Sequence, residues 1–191
     1  MIKLKIFRDF FKISNENLLR ELEEKSRLCH FSKGKILVES GKVCESIYFN
    51  INGIFRGFFT DSNGKEITDC IKYKYGDVIS PTSEIGIVSP ISIEALSNAQ
   101  VLQLHTQDVK NLIALYPEIN NLYLKLVIAS ANEHWELKLS LCQYSAMERY
   151  LWFLEKYPGL VEQINNTYIA SFLNITPVTL SRIRGELKKN G

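Results

Sequence analysis

The residues best suited to chemistry in this chain are basic, small and hydroxyl side chains that cluster over residues 176–189. If this stretch is helical, Val178, Ser181, Arg182, Gly185 and Lys189 project from one face, because each residue turns the helix by about 100°. Arginine can pair with guanine edges, and a short apolar side chain can meet a thymine methyl group. The face carries no acid, so it is typical of a helix that enters the major groove of DNA. An ordinary helix pair with a solvated basic face has the same spacing.

Two short helices joined by a tight turn are expected to position this face. Asn174 falls at the turn, and asparagine tolerates the left-handed backbone that such turns need. Thr176 followed by Pro177 is a helix start, with a hydroxyl cap and then proline at the first helical position. The predicted apolar faces of the two helices are Ile169, Phe172 and Leu173 in the first and Leu180, Ile183 and Leu187 in the second.

The segment YIASFLNITPVTLSRIRGEL, residues 168–187, resembles the DNA-binding end of the Crp–Fnr regulators, in particular the branch that reads YIA-x-x-L-x-ITP-x-TLSRIR. The resemblance implies that Arg182 reads a base, most simply guanine, and that Ser181 and Val178 touch neighbouring base edges. The predicted phosphate contacts are Thr176, Thr179, Arg184, Lys188 and Lys189. The DNA-binding residues predicted in this way are Thr176, Pro177, Val178, Thr179, Ser181, Arg182, Arg184, Lys188 and Lys189.

Two departures from the family pattern affect this prediction. Family members often carry a cytosine-reading acid at the position of Val178, so a different operator sequence is expected here. Crp-like chains usually continue into a wing of strands, whereas this sequence stops at Gly191, so a reduced or absent wing is expected.

The composition is typical of a soluble globular protein of one or two domains, with 191 residues, 46% of them hydrophobic and 23% charged. Positive charge is concentrated near the C-terminus, where residues 163–191 hold four bases and one acid. The first residues lack the uninterrupted apolar run of a signal peptide, and no segment is long enough to span a membrane. A cytoplasmic protein without a membrane partner is expected.

No catalytic or metal-binding motif is recognisable. The three histidines His30, His105 and His134 lack paired spacing, and no serine or cysteine lies in a nucleophile motif. The cysteines are far apart and form no Cys-x-x-Cys pair, which argues against a zinc site and an N-terminal iron–sulfur cluster. They are expected to be reduced thiols: Cys29, Cys44, Cys70 and Cys142. We therefore predict neither an enzyme nor a metal site.

Short runs rich in Ile, Val, Phe and Tyr, separated by glycines, predict an antiparallel sandwich or jelly-roll barrel. The Asn63-Gly64 pair between two runs predicts a hairpin. The predicted strands are Lys35–Val38, Ser46–Ile51, Ile54–Thr60, Glu66–Tyr73, Val78–Ile79, Ile91–Leu96 and Val101–Leu104. An amphipathic helix capped by Ser14 is expected before them, and a helix capped by Thr106 after them.

The similarity to the Crp–Fnr regulators extends weakly into this region. The matching positions of cyclic-nucleotide-binding β-rolls are Gly34, Gly41, Tyr48, Gly53, Arg56, Gly64 and Glu66. The resemblance implies an α+β protein with a β-roll effector domain at 1–117, a dimerisation helix at 118–142 and a helix-turn-helix domain at 143–191.

Residues 76–96 lack the phosphate-binding motif of the cyclic-AMP-binding family members. Ser80-Pro81 stands in place of their Gly-Glu, and Ser89-Pro90 in place of their Arg-Ser. Because no lysine or arginine lies between positions 74 and 110, a buried cyclic phosphate would have no compensating cation. Neither cyclic AMP nor another cofactor is expected. The remaining polar residues predict either a pocket for a different effector or a polar loop: Thr82, Ser83, Glu84 and Ser89.

Residues 119–141 predict a long helix with two apolar stripes. The first has the four-three-four steps of a coiled-coil seam and consists of Leu124, Ile128, Ala131 and Trp135. The second consists of Leu122, Leu126 and Ala129. The helix is therefore expected to be buried on two sides, either inside a monomeric core or between its own β-roll and a partner's helix. The resemblance favours the dimer, since the family's dimerisation helix lies here.

The junction after this helix is expected to be a hinge. Ser145 and Glu148 have the spacing of a capping box that begins another helix. The resemblance implies that residues 141–145 transmit the state of the sensor domain to the DNA-binding domain.

Together these features predict a homodimeric, sequence-specific DNA-binding regulator of the Crp–Fnr type. Its expected partners are double-stranded DNA, a second copy of the chain and, through the resemblance, RNA polymerase. The alternative is a ligand-binding β-roll whose C-terminal helices contact proteins and not DNA.

Overall fold

The computed structural model describes residues 2–190 of the chain, with side chains described for residues 3–189. Gly191 lies outside the described residues. The chain divides into two compact units. The first runs to Phe59 and resumes over Ile71–Ser130, and the second contains Thr60–Cys70 and the chain from Ala131 onward. The boundary between the units falls between Ser130 and Ala131, and the predicted ranges 1–117, 118–142 and 143–191 stay a prediction.

The strands form two four-stranded sheets, in the orders β1-β8-β3-β6 and β2-β7-β4-β5. Their pairings are antiparallel, and neighbours in a sheet are mostly distant in sequence, as in a jelly roll. The strands are β1 (Arg27–Phe31), β2 (Ile36–Val38), β3 (Ser46–Asn52), β4 (Phe55–Thr60), β5 (Glu66–Lys72), β6 (Val78–Ile79), β7 (Ser92–Ala95) and β8 (Ala99–His105). The predicted α+β class with an antiparallel β-roll is confirmed.

Helices flank the strands at both ends of the chain. The short first helix continues into a π-helical turn at Ile6–Phe10, and a 3-10 turn covers Leu160–Glu162. The helices are α1 (Ile2–Lys5), α2 (Glu16–Lys25), α3 (Thr106–Leu115), α4 (Pro117–Gln143), α5 (Ala146–Lys156), α6 (Asn166–Phe172) and α7 (Pro177–Asn190). The long helix and the final helix pair confirm the sequence-based expectation.

Three details of the predicted elements were wrong. Strand β1 was not expected, because its sequence Arg-Leu-Cys-His-Phe lacks a clear alternation and depends on pairing with β8. Asn15, not Ser14, caps α2, since the Asn15 side chain accepts the backbone N–H groups of two helix residues. Thr106 does not cap α3, because its hydroxyl donates to the Glu45 carbonyl.

The predicted hairpin between β4 and β5 is confirmed, with a loop longer than the two residues Asn63-Gly64. The Asp61 N–H donates to the Lys65 carbonyl at 2.9 Å, and the Asp61 carboxylate accepts the N–H groups of Asn63 and Lys65 at 2.8 and 2.9 Å. These hydrogen bonds lower the pKa of the Asp61 carboxyl group. Gly64 has a φ of +80°, which glycine adopts without a steric penalty.

The core of the first unit lies between the sheet that contains β3 and β8 and the helices packed on it. Leu18, Leu19 and Leu22 of α2 are fully buried there, which confirms the predicted apolar face of that helix. Phe7 and Phe49 meet edge to face, with ring centroids 6.0 Å apart. Full burial of a side chain of this size stabilises the fold by about 1.5–3 kcal/mol.

A buried ion pair joins β4 to β7 in the other sheet. Arg56 Nε lies 2.8 Å from Glu94 Oε1, and the two residues face each other in the strand register. The Arg56 guanidinium also lies over the Phe58 ring, 4.3 Å from its centroid. The side chains of Arg56 and Glu94 are only 3% and 14% exposed, so this ion pair is largely shielded from water.

The core of the second unit is aromatic. Phe153 is fully buried and lies 5.0 Å from Tyr157 and 6.0 Å from Phe172, measured between ring centroids. Trp152 stacks on Phe172 at 6.3 Å. The rings hold α5 against α6, the first helix of the final pair, which gives that pair a rigid base.

Candidate nucleic-acid interface

The turn between α6 and α7 has the geometry that the sequence predicts. Asn174 adopts a left-handed conformation with a φ of +50°. The N–H groups of the turn hydrogen-bond to the last carbonyl groups of α6. Asn174 donates to the Ser171 carbonyl at 3.1 Å, and Ile175 donates to the Ala170 carbonyl at 2.9 Å. The chain therefore reverses within a few residues and begins α7 close to α6.

Thr176 caps α7, as predicted. Its Oγ1 accepts the Thr179 N–H at 3.0 Å, and the two hydroxyl oxygens lie 2.9 Å apart. Pro177 is the first residue of α7, where its missing N–H costs nothing. The two hydroxyl groups thus bond to each other and stiffen the start of the helix.

Close packing of α6 on α7 leaves one side of α7 free. Ala170, Leu173 and Leu180 are fully buried, and Ile183 is 4% exposed. Leu187 is only half-buried, so the predicted stripe weakens towards the end of the helix. Because the apolar face is covered by α6, the opposite face can meet a large partner.

That opposite face, here called the recognition face, consists of Val178, Ser181, Arg182, Gly185 and Lys189. All five residues are exposed, and Val178 is 79% exposed although it is apolar. Lys188 is exposed beside it. An acid-free helical surface of one apolar, one hydroxyl and several basic side chains matches the chemistry of a base edge flanked by phosphates.

Arg184 differs from the other predicted DNA-binding residues. It is half-buried, and its Nη1 donates to Asn166 Oδ1 at 2.6 Å, a bond from α7 back to the start of α6. This bond was not predicted from the sequence, because Asn166 lies 18 residues away and belongs to no recognisable motif. Arg184 therefore stiffens the helix pair, and its predicted phosphate contact stays a prediction.

Gly185 provides a test that separates folding from binding. A Cβ built at this position meets no atom within 4 Å, so Gly185→Ala fits the free protein. We expect this variant to raise the free energy of unfolding by about 0.5–1 kcal/mol, because alanine has the higher helix propensity. If the backbone at Gly185 approaches DNA closely, operator affinity should fall although stability rises. Thermal unfolding and fluorescence anisotropy with duplex DNA measure the two effects.

A row of apolar side chains on α4 is open to solvent. This apolar stripe is the predicted seam Leu124, Ile128, Ala131 and Trp135, and the three large members are 49%, 59% and 57% exposed. Ala131 is exposed as well. The Lys138 ammonium group lies 5.0 Å from the centre of the Trp135 ring. Of the second predicted stripe, Leu122 and Leu126 are half-buried whereas Ala129 is exposed.

Solved structures of other proteins share this arrangement over most of the chain. FixK2 from Bradyrhizobium japonicum is 17% identical, with a TM-score of 0.76 over 87% of this chain and 86% of its own. The c-di-GMP-responsive global regulator CLP from Xanthomonas campestris is 10% identical, with a TM-score of 0.71 over 93% of both chains. A protein from Eubacterium rectale described as a transcriptional regulator of the Crp/Fnr family is 16% identical, with a TM-score of 0.74 over 97% of this chain and 87% of its own. The chain has the Crp–Fnr fold.

No protein-family model and no curated protein matches the sequence. The Crp–Fnr fold is therefore established by the three-dimensional comparison, and the function is inferred from the site.

The junction between α4 and α5 of this Crp–Fnr fold contains the predicted capping box. The Glu148 N–H donates to Ser145 Oγ at 3.3 Å, and the Ser145 N–H donates to the Glu148 carboxylate at 2.8 Å. These hydrogen bonds lower the pKa of the Glu148 carboxyl group. A lowered folded-state pKa contributes stability at neutral pH, and this contribution is lost as the pH falls through that pKa.

The predicted effector residues lie in the loop between β6 and β7 of the Crp–Fnr fold. The Thr82 hydroxyl donates to the Glu84 carbonyl at 2.7 Å, and the buried Ser89 hydroxyl donates to the Ile91 carbonyl at 2.5 Å. The Ser83 carbonyl accepts the Tyr123 hydroxyl, and the Glu84 side chain is exposed. Two of these hydroxyl groups thus bond within the loop, and an effector pocket there stays a prediction.

A shallow cavity of about 390 Å³ lies elsewhere on the roll, at the ends of β1, β3 and β8. Gln100 links its polar groups, since its side-chain amide donates to His30 Nε2 at 2.8 Å and its N–H to Asn52 Oδ1 at 3.0 Å. Because these polar groups hydrogen-bond to one another, they do not need a ligand as a hydrogen-bond partner.

Neither a metal cluster nor a membrane helix appears in the part of the chain that the structure describes. Over these residues, no three His, Cys, Asp or Glu side chains are grouped to hold a metal ion. No described helix is both long enough and apolar enough to cross a membrane. None of the four cysteines forms a disulfide bond within the described residues, and burial raises the pKa of Cys29 and Cys44, which disfavours the reactive thiolate.

Proposed function

We propose that this protein is a homodimeric, sequence-specific DNA-binding transcriptional regulator of the Crp–Fnr type. The observation that carries the proposal is the recognition face, an exposed set of apolar, hydroxyl and basic side chains on a capped helix held by a tight turn against α6. The Crp–Fnr fold supports the proposal, because a regulator of gene expression shares it.

Individual residues take different parts in the proposed interface. Arg182 reads a base, most simply guanine through its O6 and N7 atoms, while Ser181 and Val178 touch neighbouring base edges. Lys188 and Lys189 bind phosphates, which adds affinity without sequence discrimination. Asn166 positions Arg184 and so keeps α6 and α7 in register.

The apolar stripe supports a dimer. Several large apolar side chains in one row on a long helix are costly to expose, and such surfaces mark interaction sites. Their coiled-coil spacing suits an identical helix as the partner. A two-fold dimer presents two recognition faces, so we expect an inverted-repeat operator with half-sites about 34–36 Å apart.

The proposed regulator does not respond to cyclic AMP. The loop between β6 and β7 contains no lysine or arginine, and its Ser89 hydroxyl is buried and bonded to the Ile91 carbonyl. The Lys110 ammonium group lies beside Gly86 of this loop, but the loop offers neither an arginine fork nor a free Ser89 hydroxyl to hold a cyclic phosphate. Isothermal titration with cyclic AMP, and separately with c-di-GMP, tests both cyclic nucleotides.

Selection of bound fragments from a random duplex pool tests the proposed function. We expect enrichment of an inverted repeat, with an affinity that falls steeply as salt concentration rises, because counterions are released from the phosphates. A pool that remains random at low ionic strength would contradict sequence-specific DNA binding. Loss of all salt-dependent retention on DNA would instead favour a ligand-binding roll whose helices contact proteins.

A further inference from the structure

The hairpin tip, residues 60–70, packs in the same unit as the helix-turn-helix. It includes most of β5, which ends the strand order β2-β7-β4-β5, so no strand of the described chain pairs with its other side. An edge strand leaves backbone N–H and C=O groups unpaired, and proteins usually cover or satisfy such groups. In this protein α6 supplies the partner.

One hydroxyl group of α6 satisfies two of these edge groups. The Thr68 N–H donates to Ser171 Oγ at 2.9 Å, and Ser171 Oγ donates to the Glu66 carbonyl at 3.3 Å. A serine hydroxyl can donate one hydrogen bond and accept others, so it matches an N–H and a C=O that one strand edge presents two residues apart. An alanine at this position would leave both groups without this partner.

A second contact joins the tip to α4. Asp69 Oδ2 lies 3.5 Å from His134 Nε2, and the two side chains are 28% and 50% exposed. Ion pairs with this much exposure contribute little, since water screens them. Ser171 therefore supplies two short-range, directional contacts of the docked hairpin.

Docking also has an unfavourable component at Thr68. This residue is 3% exposed, and its hydroxyl oxygen has no hydrogen-bond partner within the described part of the chain. A buried hydroxyl without a partner has lost its hydrogen bonds to water. Because it belongs to the residue whose N–H bonds to Ser171, this unsatisfied hydroxyl lowers the stability of the segment that docks on α6.

We propose that the hairpin tip is a reversible latch on the helix-turn-helix, through which β4 and β5 bias DNA binding. Both strands continue from the first unit into the tip, so a change in the roll reaches α6 without passing through the α4–α5 junction. The buried contact between α6 and α7 then transmits this change to the recognition face. This inference rests on the proposed function.

Two substitutions should shift the latch in opposite directions. Ser171→Ala removes the partner of the Thr68 N–H, and we expect hydrogen exchange at that amide to become roughly two- to tenfold faster, as for loss of a hydrogen bond. Thr68→Val keeps the shape and removes the unpaired hydroxyl, so exchange at residue 68 should slow after correction for intrinsic rates. Thr167→Ala on α6 and Thr60→Val on the exposed part of the hairpin are the matched controls, expected to leave this amide unchanged.

Affinity for the selected operator completes the test. We expect Ser171→Ala and Thr68→Val to change the operator Kd in opposite directions, each by twofold or more, with both controls within error of wild type. Unchanged exchange at residue 68 in Ser171→Ala would overturn the latch. If amide exchange changed as expected but both variants kept the wild-type operator Kd, the latch would stand and only its role in DNA binding would be overturned. Failure of the wild-type protein to bind any duplex would overturn the proposed function as well.

Discussion

Ile128→Glu is expected to convert the protein to a monomer and to weaken operator binding by roughly 10²–10⁴-fold, the gain that linking two binding modules commonly provides. Ile128 is 59% exposed in the middle of the apolar stripe, so the substitution should not disturb the folded chain. In a two-fold interface a residue near the axis meets its own copy or close neighbours. Two glutamates would then face each other in a desolvated seam, which costs far more than the lost apolar contact. Sedimentation velocity and operator titration measure the two effects.

Ala129→Glu is the matched control for this prediction. It introduces the same charge at the next residue of α4, about 100° around the helix and outside the seam, and Ala129 is also exposed. We expect it to remain dimeric and to bind the operator with nearly normal affinity. A dimeric Ile128→Glu protein, or a monomer that binds the full operator normally, would show that the apolar stripe is not the interface.

Arg182→Ala is expected to weaken specific operator binding by about 1–3 kcal/mol and to relax the preference at one base pair of each half-site. The side chain is exposed on the recognition face, where its guanidinium can present two parallel donors to guanine. Stability should change little, because no buried partner is lost. Binding selection repeated with the variant identifies which position has relaxed.

Lys189→Ala provides the contrast that tests the assignment of roles. A phosphate-binding lysine adds affinity evenly, so its removal should weaken all duplexes alike and reduce the slope of log K against log salt by about one. Lys189 is exposed on the same helix, which makes its environment comparable to that of Arg182. If both variants lost affinity without any change in sequence preference, Arg182 would be a phosphate contact and the proposed base reading would be wrong.

Much of the recognition helix could be predicted because its determinants are local. Asn174, Thr176 and Pro177 specify the turn and the helix start through their own backbone preferences, and the structure shows each in that role. The Ser145–Glu148 capping box is local in the same way. Strand positions followed from short apolar runs, except β1, whose partner β8 lies some seventy residues further along the chain.

The amino-acid sequence by itself determined the elements that depend on neighbouring residues, namely the capped helices, the tight turn, most strands and the basic face of α7. Only the tertiary structure decided which distant groups complete one another. Examples are the bond of Arg184 to Asn166, the buried pair of Arg56 with Glu94, and the Ser171 hydroxyl on the edge of β5. The physical reason is that a backbone preference is set within a few residues, whereas a hydrogen bond or ion pair between distant segments exists only after the packed layers bring them together.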